Sequence, residues 1–256
     1  MKFIQKALRN PGKAASSLTK KLLKGMGHRN YKHFIVLTRS RTGSNMLSSL
    51  LNNHPNINVQ GEIFRRLNGQ NYKGVLASGF PKQPFHIKAK GFKIFYYHPL
   101  DDRSSDIWND LAKMQNLHVI QLKRRNVLRS LISSKIATNQ KIWRSIESKD
   151  TGKLPERIVT LTEKELRDGF EYTKRWINKA EQMFCAHPFL TLYYEDLLDD
   201  LESNLRDTCK FLGVRYRPLK TPLKRQNPES MRDLVINYEE LKGVFQGTEW
   251  ESQFED

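Results

Sequence analysis

Cysteine is nearly absent: the 256 residues hold two, Cys185 and Cys209. Two thiols build neither a disulfide framework nor a Cys-rich zinc site, so a reduced, cytoplasmic setting is the simpler expectation. No run of about 18 apolar residues occurs, and no spanning helix is expected. The first residues, MKFIQKALRNPGKAASSLTKKLLKGMGHRN, lack the long apolar stretch of a secretory signal. Two phosphate-binding signatures are also missing. Without G-x-x-x-x-G-K-S/T there is no Lys followed by a Mg²⁺-holding hydroxyl, which weakens a kinase or ATPase reading. Without G-x-G-x-x-G a nicotinamide site is disfavoured. No H-E-x-x-H, Cys cluster or convincing carboxylate pair marks a metal site.

Acidic residues are scarce beside basic ones. Lys and Arg number 44 against 27 Asp and Glu, a formal net charge of +17. That balance favours anionic partners without choosing among nucleic acid, lipid, glycan and small phosphorylated or sulfated molecules. Apolar residues make up 38% of the chain, enough to fill a core. The length suits one large domain or one domain with an appendage. The division expected is a basic N-terminal arm over residues 1–30 and a single domain over 31–256. The arm reads as a loosely packed basic segment or as a peripheral contact with an anionic membrane. Phe3, Ile4, Ala7 and Leu8 form one short apolar stripe in it, and Leu18, Leu22 and Leu23 another.

Along the chain, HFIVLT (33–38) is a β-branched apolar run that predicts a strand. A polar turn, RSRTGSN, follows, and then a helix carrying Met46, Leu47, Leu50 and Leu51 on one face, stopped by Pro55. Further strands are predicted at 92–97 (FKIFYY), 117–122 (LHVIQL) and 189–194 (FLTLYY). A helix carrying Val127, Leu128, Leu131 and Ile132 follows the third strand. A long helix opens at the capping-box pattern Thr162–Glu165, with Tyr172, Trp176, Ala180 and Met183 expected on its apolar side. A later helix ends at Gly213. Strands alternating with helices predict an α/β fold with a central, mostly parallel sheet flanked by helices. Residues 60–90 and 135–160 are less regular.

The turn after the first strand has the makings of an anion cradle. Unpaired N–H groups at a helix start point at whatever sits above the sheet edge. Gly43 permits a tight turn, Ser40, Thr42 and Ser44 carry hydroxyls, and Arg39 and Arg41 add charged donors. A similar plan recurs in LKRRNVLRSLISS: a strand ends, Arg124 and Arg125 follow, and a helix begins that carries Ser133, with Arg129 nearby. Cations at a helix N-terminus oppose its macrodipole, a mismatch that a bound anion relieves. Glu62, just beyond the first helix, is the best candidate base for activating a hydroxyl, its alternative role being a salt bridge to Arg65 or Arg66. His98 and His54 are the other candidates.

RSRTGSNMLSSLLNNHP resembles the 5′-phosphosulfate-binding loop of sulfotransferases that use 3′-phosphoadenosine 5′-phosphosulfate (PAPS). The resemblance is closest to bacterial carbohydrate enzymes of the trehalose and Nod-factor types. It implies a P-loop-like sulfotransferase fold over about residues 33–250. It further implies that Arg41 contacts the transferring sulfuryl group where many relatives carry Lys, and that the backbone from Gly43 to Asn45 holds the 5′-phosphate. Arg125 and Ser133 have the spacing of the family's 3′-phosphate-binding pair, with Arg124 an alternative to Arg125. Glu62 and Phe64 match a catalytic Glu-x-Phe, while Glu195 and Asp196 brace or cap. Lys224 and Arg225 fall where a basic residue returns over the nucleotide. PAPS would be the co-substrate and PAP (3′-phosphoadenosine 5′-phosphate) the product, with no metal required. The acceptor would be a small molecule, carbohydrate or glycolipid, and no nucleic acid partner is expected. The competing readings are a P-loop-like kinase and a non-enzymatic basic module for nucleic acid or anionic glycan. Acceptor identity and oligomeric state stay open.

Overall fold

The computed structural model describes residues 27–140, 158–221 and 229–255, with Gln140 described in its backbone alone. The arm's residues 1–26 and the pair Lys224 and Arg225 lie outside the described residues. Five strands form one sheet: β1 (Lys32–Thr38), β2 (Ile57–Gln60), β3 (Ala89–Phe95), β4 (Leu117–Lys123) and β5 (Phe189–Tyr193). Their order is β2-β3-β1-β4-β5, and every neighbouring pair is parallel.

β1 is central and covered on both faces, which suits its unbroken apolar run. Phe34 and Val36 face a layer built by α1 (Ser44–Asn52) and α7 (Leu201–Leu212), through Leu47, Leu51, Cys209 and Leu212. Ile35 and Leu37 face the other side, where α2 (Tyr72–Gly79) and α3 (Ile107–Lys113) pack with the end of α5 (Glu163–Met183). α4 (Val127–Gln140) follows β4, and α6 (Tyr194–Asp199) follows β5 directly. A third cluster joins α4 and α5 to α8 (Met231–Leu234) and α9 (Tyr238–Phe245) through Leu128, Phe170, Met231 and Phe245. No helix among the described residues is long and apolar enough to cross a membrane.

Local chemical signals set several boundaries. Thr162 accepts from the Glu165 N–H at 3.1 Å, and the Glu165 carboxylate accepts from the Thr162 N–H at 2.9 Å, so α5 opens on a complete capping box. Gly213 caps α7 at φ 70°, a left-handed conformation that glycine adopts without strain.

The structure corrects three expectations. The strand placed at 92–97 runs from Ala89 to Phe95, because its partner β1 ends at Thr38, opposite Phe95. Lys90 and Lys93 interrupt its apolar run yet are both buried. Burial pushes the Lys90 ammonium down to about 8, and its Nζ donates to Asn58 Oδ1 at 2.8 Å. The irregular stretch after residue 60 contains α2, and β2 precedes it without a sequence signal, four residues being too short to show a period. On α5 the buried side chains are Leu166, Phe170, Thr173 and Ala180, whereas Tyr172 is 47% exposed.

Candidate functional site

β1 is the switch point of the sheet: the chain runs from it to β2 and β3 on one side and to β4 and β5 on the other. In open parallel sheets the crevice beyond the strand ends at such a point takes the ligand. The turn at the end of β1 opens into it. Arg41 at φ 65° and Gly43 at φ 81° are both left-handed. A Cβ on Gly43 would collide with the Tyr194 ring, so glycine is required there by conformation and by packing. α1 then starts with no side-chain cap and no acidic residue in its first turn, leaving its first N–H groups for an anion.

The loop is braced from inside. Thr38 Oγ1 donates to Leu122 O at 2.7 Å, and Thr42 Oγ1 donates to Arg39 O at 2.9 Å. Thr42 is 1% exposed, so its hydroxyl supports the loop and does not offer itself to a ligand. Arg39 turns inward too. It is 8% exposed, its guanidinium donates to Thr173 Oγ1 at 2.5 Å, and its Nε has no hydrogen-bond partner among the described residues. Burial lowers its pKa from the ordinary arginine value. It lines a small cavity behind the loop with Tyr96, Arg124, Ser130 and Thr173. Ser40 lies against Tyr97, Ser44 is buried, and Asn45 is exposed at the rim.

Arg41 points the other way and joins the two cradles. Its Nε donates to Ser133 Oγ at 2.9 Å, and its carbonyl accepts from Arg124 at 3.2 Å and from Ser130 Oγ at 3.3 Å. Arg124 lies over the Tyr194 ring at 4.8 Å, with Glu195 Oε1 at 3.7 Å from its Nε. Arg125 lies further out, its side chain 52% exposed. Its guanidinium makes a two-pronged bridge to Asp196 at 2.5 and 2.9 Å over the Tyr193 ring, and the Asp196 contact raises its pKa. Arg125 N also donates to Glu195 Oε2 at 3.0 Å. Glu195 and Asp196 thus brace both arginines.

The second cradle departs from the expected plan in one respect. Two amides of the first turn of α4 already have side-chain partners: Val127 N donates to Gln253 Oε1 at 2.6 Å and Arg129 N to Asn126 Oδ1 at 2.8 Å. The Arg129 guanidinium reaches Glu229 O at 3.0 Å. Arg124 and Ser133 are side chains of this edge that meet Arg41.

Glu62 stands beside the loop. Lys93 Nζ lies 3.0 Å from Glu62 Oε1 and donates to Asn45 Oδ1 at 2.6 Å, tying the carboxylate to the start of α1. The salt bridge at Glu62 is thus made by Lys93, where the sequence offered Arg65 or Arg66. His98 Nε2 lies 3.9 Å from Glu62 Oε2. Its Nδ1 accepts from Phe95 N at 3.2 Å, so the neutral ring carries its proton on Nε2, facing Glu62. Burial pushes this imidazole down to about 4, against the opposing pull of Glu62. His54 is committed locally, its ring bonded to Arg215 O at 2.9 Å and to Asn56 N at 3.1 Å.

Sequence reasoning misses Lys93, which reads as a polar interruption of a strand. A lysine inside a strand buried on both faces needs an anionic or polar partner, and that is the available signal. A second signal concerns Glu62: it is the single acidic residue in the first hundred positions. Among the described residues no group of three or more His, Cys, Asp or Glu side chains comes together as a metal site.

A family model described as "Sulfotransferase domain" matches residues 31–251. Nodulation protein H of Rhizobium tropici is 27% identical over 240 residues, covering 87% of this chain and 92% of that protein. Nodulation protein H of Rhizobium meliloti (strain 1021) is 25% identical over 227 residues, covering 83% and 90%. The solved sulfotransferase of Alicyclobacillus acidocaldarius superposes with a TM-score of 0.48 at 16% identity, covering 83% of this chain and 90% of that one. With most of its length matched by the family model, the chain belongs to the sulfotransferase family: it is a PAPS-dependent sulfotransferase with an α/β fold, related at low identity to the nodulation proteins.

Proposed function

We propose that this enzyme moves the sulfuryl group of PAPS onto a hydroxyl of a carbohydrate or glycolipid acceptor, with Glu62 as the base. The observation that carries this reading is the bridge from Glu62 through Lys93 to Asn45. It holds a carboxylate beside the anion loop, where an acceptor oxygen must arrive.

The donor set fits a ligand with two separated anionic ends. The open first turn of α1 and Arg41 receive the 5′-phosphosulfate, and Arg124 and Ser133, with Arg125 at the outer edge, receive the 3′-phosphate. In the transfer, the acceptor oxygen forms a bond to sulfur as the sulfur bond to the 5′-phosphate oxygen breaks. The acceptor proton passes to Glu62. Arg41 and the α1 amides stabilise charge on the bridging and equatorial oxygens, in a site where such fixed donors act most strongly. The reaction in this reading needs no metal. His98 supports Glu62 from behind, since its Nε2–H faces the carboxylate and a group held near 4 is a weak base at neutral pH.

The carbohydrate class rests on the Nod-factor resemblance and is supported by the relation to the nodulation proteins. The test is calorimetric binding of PAP without magnesium, followed by turnover of Glu62→Gln. The variant is expected to keep PAP affinity and lose about a hundredfold or more in sulfation rate. Unchanged turnover removes Glu62 as the base, and absence of PAP binding by folded protein removes the donor assignment.

A further inference from the structure

α5 carries two large aromatic side chains off its buried stripe. Tyr172 and Trp176 are one turn apart, while the helix packs through Leu166, Phe170, Thr173 and Ala180. Trp176 lies 5.8 Å from Tyr172 with ring planes 23° apart, 6.4 Å from Tyr96 at 20°, and 5.2 Å from Tyr97. Trp176 is thus near-parallel to Tyr172 and Tyr96 and tilted by 50° to Tyr97, so the rings form one contiguous aromatic shelf. Arg175 lies over the Tyr172 ring at 4.8 Å.

The inner end meets the transfer site. Tyr97 packs edge-on against His98 at 5.5 Å, and His98 faces Glu62. Thr173, on the same helix, holds Arg39 of the anion loop. The shelf is therefore fixed in position relative to both the base and the loop.

We propose that Tyr97, Trp176 and Tyr172 form an acceptor subsite on which successive sugar rings of an oligosaccharide lie, delivering one hydroxyl to Glu62. This deepens the carbohydrate reading above and rests on it. Pyranose rings are amphipathic, with C–H faces that pack on aromatic surface and hydroxyl edges that bond to polar groups. A row of amphipathic rings beside a charged side chain matches both properties, and it is the usual make-up of a specific small-molecule site. An exposed tyrosine and a half-buried tryptophan off the helix's buried stripe have an occupant in this arrangement. An acceptor longer than one sugar touches more of these rings than a single sugar does.

The test titrates the PAP-loaded full chain with chitotetraose, cellotetraose and maltotetraose by calorimetry, with the matching monosaccharides as controls. At least one tetrasaccharide is expected to bind at least about tenfold more tightly than its monosaccharide, the scale of one added aromatic contact. Trp176→Ala should weaken it by a similar factor, Trp176→Phe should restore most of the affinity, and Tyr172→Ala should weaken it several-fold. PAP affinity should stay unchanged in all three. Tyr172 is exposed, so its variant keeps the test decisive if Trp176→Ala fails to fold. Normal PAP binding with no tetrasaccharide bound, or with affinity unaffected by both alanine variants, overturns the subsite and leaves sulfuryl transfer standing. Failure of the wild type to bind PAP overturns the nucleotide assignment and the subsite with it.

Discussion

Arg41 Nε donates to Ser133 Oγ at 2.9 Å, joining residues 92 positions apart across the ends of β1 and β4. One side chain from each edge meets in the crevice between them, so the ends of β1 and β4 are physically joined. Arg41→Ala is expected to lower turnover by about 10²–10³, the range for removing one preorganised charge-stabilising donor. Ser133→Ala should weaken PAP binding by up to about tenfold, the scale of one hydrogen bond. Steady-state kinetics with parallel PAP titrations separates the two, and equal effects of both variants on PAP affinity alone would contradict a transfer role for Arg41.

Lys93 is 3% exposed and bonded to both Glu62 and Asn45, so Glu62 and Lys93 act as a unit. Lys93→Met should slow sulfation nearly as much as Glu62→Gln. The double variant should be little slower than the worse single, because groups that work together are not additive. A double-mutant cycle in turnover measures this, and fully multiplicative losses would show that the residues act independently.

His98 shapes the dependence of stability on pH. Its folded value of about 4 lies below the ordinary 6.5. Between those values the unfolded chain binds a proton that the folded chain does not, so stability falls as pH drops from 6.5 toward 4. At higher pH this group contributes no slope. The loss reaches a few kcal/mol at the low end. Urea midpoints across this range should fall less steeply for His98→Asn, whose amide oxygen can still accept from Phe95 N, than for the wild type. Identical slopes would assign the dependence to other groups.

The capping box at Thr162 sets the start of the helix that carries the aromatic shelf. Thr162→Ala removes the side-chain acceptor for the Glu165 N–H and should cost about 1 kcal/mol. Urea unfolding with an unchanged m-value is the check.

Gly43→Ala adds a methyl group against the Tyr194 ring in a left-handed residue. The loop must shift to relieve it, so PAP binding should fall by more than about tenfold while the sheet stays folded. Calorimetry beside far-UV circular dichroism tests this, and unchanged affinity would show that the loop tolerates the shift.

Features with a local cause are legible in the sequence. β1 is readable because a β-branched run ends at polar residues, the anion turn because Gly43 sits between a strand and a helix, and α5 because Thr162 and Glu165 cap each other within one turn. β2 is too short to show a period, and β3 is displaced from its expected place because its end depends on where β1 stops. How the site's side chains are used depends on the assembled sheet. Arg39 turns to Thr173 and Thr42 turns inward, while Arg124 and Arg125 are divided between the crevice and Asp196. The first amide of α4 meets Gln253, and Lys93 meets Glu62. Most of those partners lie far away in the sequence, and a side chain's direction is set by which distant oxygen or ring it reaches once the strands have come together.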